Sequence, residues 1–281
     1  MAQLFNRKAI VTMGPKGGEG VRIEGLRVAF DITKTNKKSA NTAKVMIYNL
    51  NESNKSILKT KEDLSLTLEI GYGINNIDLL FTGDIVRSST QRSGPDFIST
   101  IEVDDGDQAL TTATIDKSYV AGTNMKTVVD DALQSMKDAG QIIIGTVNSI
   151  KDDIAQNGFS ASGLAANVID QITKKQGLEF SVQDNETQIL GENEDTGEEA
   201  IVLTPSTGLI GSPRIGLIGK EAAKIDGIEF KALIQTTRFK PGRVAQIRSR
   251  EVDGFFKILK SKFTGDTHAP AWFVTCEAQT I

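Results

Sequence analysis

The sequence predicts an α+β fold that is mainly β, with two antiparallel β segments flanking a small α+β segment. Three observations predict it. Apolar and polar residues alternate with period two through the first hundred residues, and again after residue 200. Between these regions, two stretches carry apolar residues at helical spacing. At 281 residues the chain is also long for one compact core.

The first β segment spans residues 1–108. In LRVAFDIT (26–33), Leu26, Val28, Phe30 and Ile32 share one face. In LSLTLEI (64–70), Leu64, Leu66, Leu68 and Ile70 do the same, and FISTIEV (97–103) is a looser copy. Turn signals separate these runs: GPKGGEG (14–20), TNKKSANT (35–42), GYGINN (71–76) and SGPD (93–96). One short helix interrupts at NESNKSILKTK (51–61), capped by Asn51 or Ser53. Strands plus one helix suggest a closed or nearly closed sheet with the helix across an opening.

Residues 109–190 read as the α+β segment. Met125, Val128, Val129, Leu133 and Met136 form a helical stripe after the cap Thr123 or Asn124. A second helix is predicted over 160–177, with Leu164, Val168, Ile169 and Ile172 inward and Gly177 as its stop. LEFSV, DNE and TQIL then form a hairpin. Strands resume over 191–281, where Phe255, Leu259 and Phe263 are expected on one face, with Lys257 reaching outward from it. Pro205, Pro213, Pro241 and Pro270 are expected in turns or at strand starts.

Composition narrows the function classes. No apolar run approaches the roughly 18–20 residues of a membrane-spanning helix, so membrane insertion is not expected. The opening MAQLFNRKAIVTMG has no secretory h-region. A single cysteine gives no intramolecular disulfide and no multi-cysteine metal site, which fits a chain folded in a reducing cytoplasm. The net charge of −4 is unevenly spread. Residues 231–281 hold nine Lys and Arg against four carboxylates, and an acidic run precedes them at 184–199. Such segregation favours docking to an oppositely charged surface.

The stretch GDTHAPAWFVTCEA (265–278) gathers the only His, Trp and Cys. Alternation puts Trp272, Val274, Cys276 and Ala278 on one strand face, with His268 in the preceding turn. A thiolate–imidazole dyad needs contact at about 3 Å, and an extended strand separates these two residues by far more. Cys276 therefore reads as a buried hydrophobe and His268 as a polar turn residue. The carboxylates of GENEDTGEE have no apolar surroundings to raise a general acid's pKa. That run also lacks the EF-hand spacing. GPKGGEG lacks the G-K-[ST] of a phosphate loop and lies between strands. No catalytic, cofactor-binding or metal-binding residue is expected. Basic strands with interleaved Phe230, Phe239, Phe255, Phe256 and Phe263 leave a single-strand nucleic-acid-binding barrel as an alternative.

An ordered set of motifs carries a resemblance. The C-terminal half reads VLTPSTGLIGSPRIG, IEFKALIQTTRFKPGRVAQIRS and GFFKILKSKFTGDTHAPAWFVTCEA. The first segment adds KVMIYNLNE, LEIGYG, LFTGDI and FISTIEVDDGD. Over nearly the whole chain this order resembles the baseplate hub proteins of phage tails and related contractile injection systems (late control protein D-like). The resemblance implies two tail-tube-like antiparallel β-barrel domains, 1–108 and 191–281, around the 109–190 domain. It implies a non-enzymatic homotrimer that joins a sixfold tail tube to a threefold central spike in the virion baseplate after synthesis in the host cytoplasm. Tube or tube-initiator proteins, the spike and other baseplate proteins would be its partners, with DNA as passing cargo. A tube-initiator or completion protein of the same fold is the alternative within this class. Acidic and polar side chains are expected to line the channel, with 231–262 mainly away from it.

Overall fold

The computed structural model describes residues 6–60, 63–73, 76–147, 150–151, 153–218 and 225–281. The chain forms two compact units. The larger comprises Met1–Thr35, Asn41–Asp104 and Gly197–Ile281; the smaller comprises Asn36–Ala40 and Asp105–Thr196. The fold is α+β and mainly β, and among the described residues all but two strand pairings are antiparallel.

In the larger unit the N-terminal segment supplies β1 (Arg7–Pro15), β2 (Val21–Ile23), β3 (Val28–Thr35), β4 (Thr42–Tyr48), α1 (Glu52–Ile57), β5 (Leu64–Tyr72), β6 (Asn76–Ser93) and β7 (Asp96–Asp104). β5 follows its sequence pattern strictly: Leu64, Leu66, Leu68 and Ile70 are buried, with partly exposed residues between them. Asn51 caps α1 by accepting a hydrogen bond from the Asn54 amide. GPKGGEG links β1 to β2, as a strand-to-strand loop.

The C-terminal segment supplies β13 (Ile201–Leu203), β14 (Leu209–Ile218), β15 (Ile225–Leu233), β16 (Val244–Arg248), β17 (Asp253–Asp266) and β18 (Trp272–Thr280). The two segments do not form separate sheets. β17 pairs with β3 from Lys260↔Thr35 to Asp266↔Ala29, so one sheet runs β14-β15-β18-β17-β3-β4-β7-β6-β5-β1-β2. Its buried face is one hydrophobic cluster drawn from both segments, including Phe30, Phe81, Phe230, Phe263 and Trp272.

The smaller unit holds α2 (Asp107–Thr112), β8 (Thr114–Tyr119), α3 (Met125–Gly140), β9 (Ile143–Val147), β10 (Phe159–Leu164), α4 (Ala165–Lys175), β11 (Leu178–Gln183) and β12 (Glu186–Gly191). α3 buries the predicted stripe of Met125, Val128, Val129, Leu133 and Met136 behind an Asn124 cap. Both carboxylate oxygens of Asp105 accept from the backbone N–H groups of Asp184 and Asn185, fixing the β11–β12 hairpin turn. Asp184 and Asn185 both adopt positive φ there.

Three local expectations are corrected. The second helix starts at Ala165, not 160, because Phe159–Leu164 pairs antiparallel with β8 over six residues. On β17 the register shifts between Ile258 and Lys260. The core face is therefore Phe256, Ile258 and Phe263, while Phe255 is 48% exposed and Lys257, on the other face, is fully buried rather than reaching into solvent. Pro213 lies within β14, at the irregularity between Ile210 and Arg214. That strand is at the edge of the sheet, where a missing N–H is tolerated.

Gly265 shows how tightly the seam between β3 and β17 is packed. A Cβ there would lie 2.2 Å from Phe30 Cζ. Gly265→Ala is therefore expected to destabilise the larger unit by about 1–3 kcal/mol, the usual range for overpacking. Urea denaturation checks this.

Candidate functional site: a clamped turn and a polar sheet face

The stretch with the three rare residue types is the turn between β17 and β18 and the strand that follows. Asp266 organises the turn. Its carboxylate accepts from Arg27 Nε at 3.1 Å and Nη2 at 2.7 Å, and from the backbone N–H groups of His268 at 2.8 Å and Ala269 at 3.2 Å. Arg7 donates to the Ala269 carbonyl at 2.7 Å, and its guanidinium lies 5.3 Å from the Trp272 ring centroid. Residues from β1 and from the approach to β3 thus hold a turn of the C-terminal segment.

Trp272 lies beneath this clamp. It is 1% exposed and meets Phe30 edge to face at 5.5 Å and Tyr72 at 6.1 Å. The Tyr72 hydroxyl donates to the Ile234 carbonyl at 2.8 Å. Trp272, Val274, Cys276 and Ala278 are all buried, as alternation predicts. Cys276 lies four residues along β18 from Trp272, about 13 Å at strand rise. Its thiol touches Ser261 Oγ at 3.6 Å, and burial pushes its pKa up to about 12. His268 is exposed in the turn, its Nδ1 2.9 Å from Thr267 Oγ1. The two residues share no site.

The remaining candidates are also dispersed. Among the described residues, no group of three or more His, Cys, Asp or Glu side chains is arranged to hold a metal ion. The nine cations after residue 230 do not form one patch. Arg243 is 4% exposed and pairs with Glu198 of the acidic run; Lys257 is buried. Lys260 pairs with Glu277, and Lys231 lies 3.4 Å from the Phe273 ring centroid. Phe230, Phe239, Phe256 and Phe263 belong to the core, leaving Phe255 as the exposed one of the five.

Sequence reasoning missed the sheet face opposite the core. Following the register from strand to strand, one row crosses it as Phe273, Thr264, Asp31, Lys44, Glu102 and Arg87. The adjacent row runs Lys231, Thr275, Lys262, Thr33, Thr42, Asp104 and Asp84. Thr264 Oγ1 donates to Asp31 at 2.9 Å, and Arg87 pairs with Glu102 at 3.9 Å. The face is polar, mixed in sign and continuous across the β3–β17 seam. Alternation announced a polar face on each strand. Only long-range pairing aligns those faces into one surface.

Two outcomes follow. Trp272→Ala is expected to cost about 3–5 kcal/mol, as large aromatic truncations in cores do, while Cys276→Ala leaves assembly unchanged. Thermal and chemical denaturation check the first, and sedimentation checks the second. Burial by itself would raise the Asp266 carboxyl, but Arg27 and the N–H groups of His268 and Ala269 outweigh it and hold it below its ordinary value. An unfolded aspartate titrates near about 4. The stabilisation is therefore complete above about pH 5 and lost as pH falls through the lower folded value. Asp266→Asn should destabilise at pH 7, and its difference from the native chain should shrink below about pH 4 in a denaturation series.

No protein-family model matches the chain. No curated protein matches it. Solved structures do share its fold. The 43 kDa tail protein of prophage MuSo2 from Shewanella oneidensis matches with a TM-score of 0.67 at 10% identity, over 98% of each chain. A tail protein from Neisseria meningitidis MC58 matches at 0.65 and 10%, over 98% of this chain and 96% of its own. The E. coli c3393 protein is described as a component of the type VI secretion system with structural similarity to the T4 bacteriophage tail proteins gp27 and gp5. It matches at 0.60 and 9%, over all of this chain and 76% of its own. The chain thus has, over its full length, the fold of these tail proteins.

Proposed function

We propose that this chain is a non-enzymatic structural component of a phage tail or phage-like injection system, and within it the baseplate hub. The observation that carries the reading is the end-to-end fold match to two tail proteins, one of them from a prophage, covering 98% of this chain in each case. The likeness to a type VI secretion component with structural similarity to the T4 tail proteins gp27 and gp5 supports a place in such an injection system. In this reading the two sides of the β3–β17 seam are the two tube-like domains. Three chains form a ring of six such domains, which meets tube or tube-initiator proteins on one side and a central spike on the other. Other baseplate proteins surround it in the virion tail, and the chain is made in the host cytoplasm.

The polar sheet face is the proposed channel wall. Its carboxylates, lysines and threonines alternate, so no long run of positive charge would retain a passing polyanion. Of the nine cations after residue 230, Lys231, Arg248, Lys260 and Lys262 lie on this face at least partly exposed, and Lys257 lies on it fully buried. Arg238, Lys240, Arg243 and Arg250 lie outside these strand rows, so with Lys257 buried four of the nine would reach the channel.

The stoichiometry tests the reading. Analytical ultracentrifugation and electron microscopy are expected to show a threefold ring. A sixfold ring would favour the tube-initiator alternative. Tight, salt-sensitive retention of single-stranded oligonucleotide by a monomer would favour the nucleic-acid-binding alternative.

A further inference from the structure

Among the described residues, the sheet of the larger unit has strand edges without a neighbour on β14, on the short strands β2 and β13, and along part of β6. At one end, β15 is the only strand partner of β14 among the described residues. Inside the sheet, β6 changes neighbours along its length. β5 covers it from Asn76 to Asp84, and β7 pairs with it from Asp84 to Ser93. Among the described residues, β6 beyond Val86 therefore has β7 as its one strand neighbour. Each bare edge presents alternating backbone N–H and C=O groups.

On β14 the side chains are unfinished in the same sense, whereas the core-side positions of the bare part of β6 are the polar Ser88, Thr90 and Arg92. Ile215 lies opposite Ile228, on the core side of the sheet. Yet Ile215 is 73% exposed while Ile228 is 2% exposed. Val86, at the start of the bare part of β6, is 55% exposed. Beside that edge, Ser88 Oγ donates to the Leu58 carbonyl just past α1, and α1 buries none of its residues. An apolar core face that runs out to a bare edge needs a neighbour to complete it.

We propose that β14 of one copy, from Arg214 to Ile218, pairs with the distal half of β6, from Arg87 to Ser93, on a second copy. This inference rests on the ring described above and names its junction. Strand direction supports a second copy as the occupant. Seven consecutive antiparallel pairings lead from β14 to β6, so these two strands run in opposite directions within one chain. Rotation about an axis along the strands preserves direction. β14 of one copy thus meets β6 of the next antiparallel, the better-bonded arrangement. The edges are complementary in backbone partial charge, and one kind of contact satisfies both. Because the two edges differ, the contact is heterologous, and it closes into a ring when the rotation permits. Pro213 and the register shift beside it end the usable part of β14.

Cysteine pairs test this. The native Cys276 is buried with its thiol pushed up to about 12, so it leaves a quiet background. Ile215→Cys is combined in turn with Ser88→Cys, Thr90→Cys and Arg92→Cys, which alternate along one side of β6. Val21→Cys, on β2, replaces them in a control. Cross-strand neighbours sit about 4.5–5.5 Å apart at Cβ, within disulfide reach after slight movement. Mild oxidation of the purified full-length protein is expected to give two- and three-chain bands on non-reducing gels for at least one β6 partner, and none with Val21→Cys. A ring that yields none of these disulfides overturns the junction and leaves the hub reading standing. A ring cross-linked through Ile215→Cys alone, between identical positions, also overturns it. A chain that stays monomeric at every concentration overturns both.

Discussion

The antiparallel pairing of β3 with β17 is the constraint on which the larger unit depends. It joins strands more than 220 residues apart in sequence, through seven register pairs from Lys260↔Thr35 to Asp266↔Ala29. Without it the sheet falls into two pieces, each with a bare edge at the break. With it, one hydrophobic cluster spans both segments, and the polar rows on the opposite face run unbroken. The clamp at the β17–β18 turn sits at the end of this seam. Arg27 precedes β3, Arg7 opens β1, and both reach the loop that Asp266 organises. Trp272 packs against Phe30 of β3 directly below. The turn and Trp272, from the stretch that gathers the rare residue types, fasten this seam.

That reassignment follows from geometry and electrostatics together. Cys276 is sealed among apolar neighbours, where ionisation is suppressed, and His268 is in solvent. Asp266 stays ionised by virtue of Arg27 and two backbone N–H groups, which suits a structural anchor. The segregation of charge along the sequence also changes meaning in three dimensions. Part of it is spent internally, as in Arg243 with Glu198. Another part, including Lys262 and Lys260 with its partner Glu277, lies on the sheet face among opposite charges.

Strands whose burial depends on local alternation were legible in the sequence. β5 and β18 place their predicted residues inward without exception, and α3 buries its whole predicted stripe. Elements defined by a distant partner were not legible. Ser160–Leu164 reads as the start of a helix until β8 claims it as part of a strand. The irregularity on β17 exchanges Phe255 for Phe256 at the core, and one extra residue in a strand leaves no mark on composition. The polar face and the bare edges were invisible for the same reason. Each is a property of neighbouring strands, and strand order is not written in any single strand.

The claim that one seam makes the outer segments a single structural unit is open to a direct measurement. Native-state hydrogen exchange in increasing denaturant reads the opening free energy of amides in β5, from the N-terminal segment, and in β15, from the C-terminal one. The account predicts that both sets merge into one global opening with a common free energy and denaturant dependence. Exchange of β15 through a separate, lower-energy opening that leaves β5 protected would contradict it.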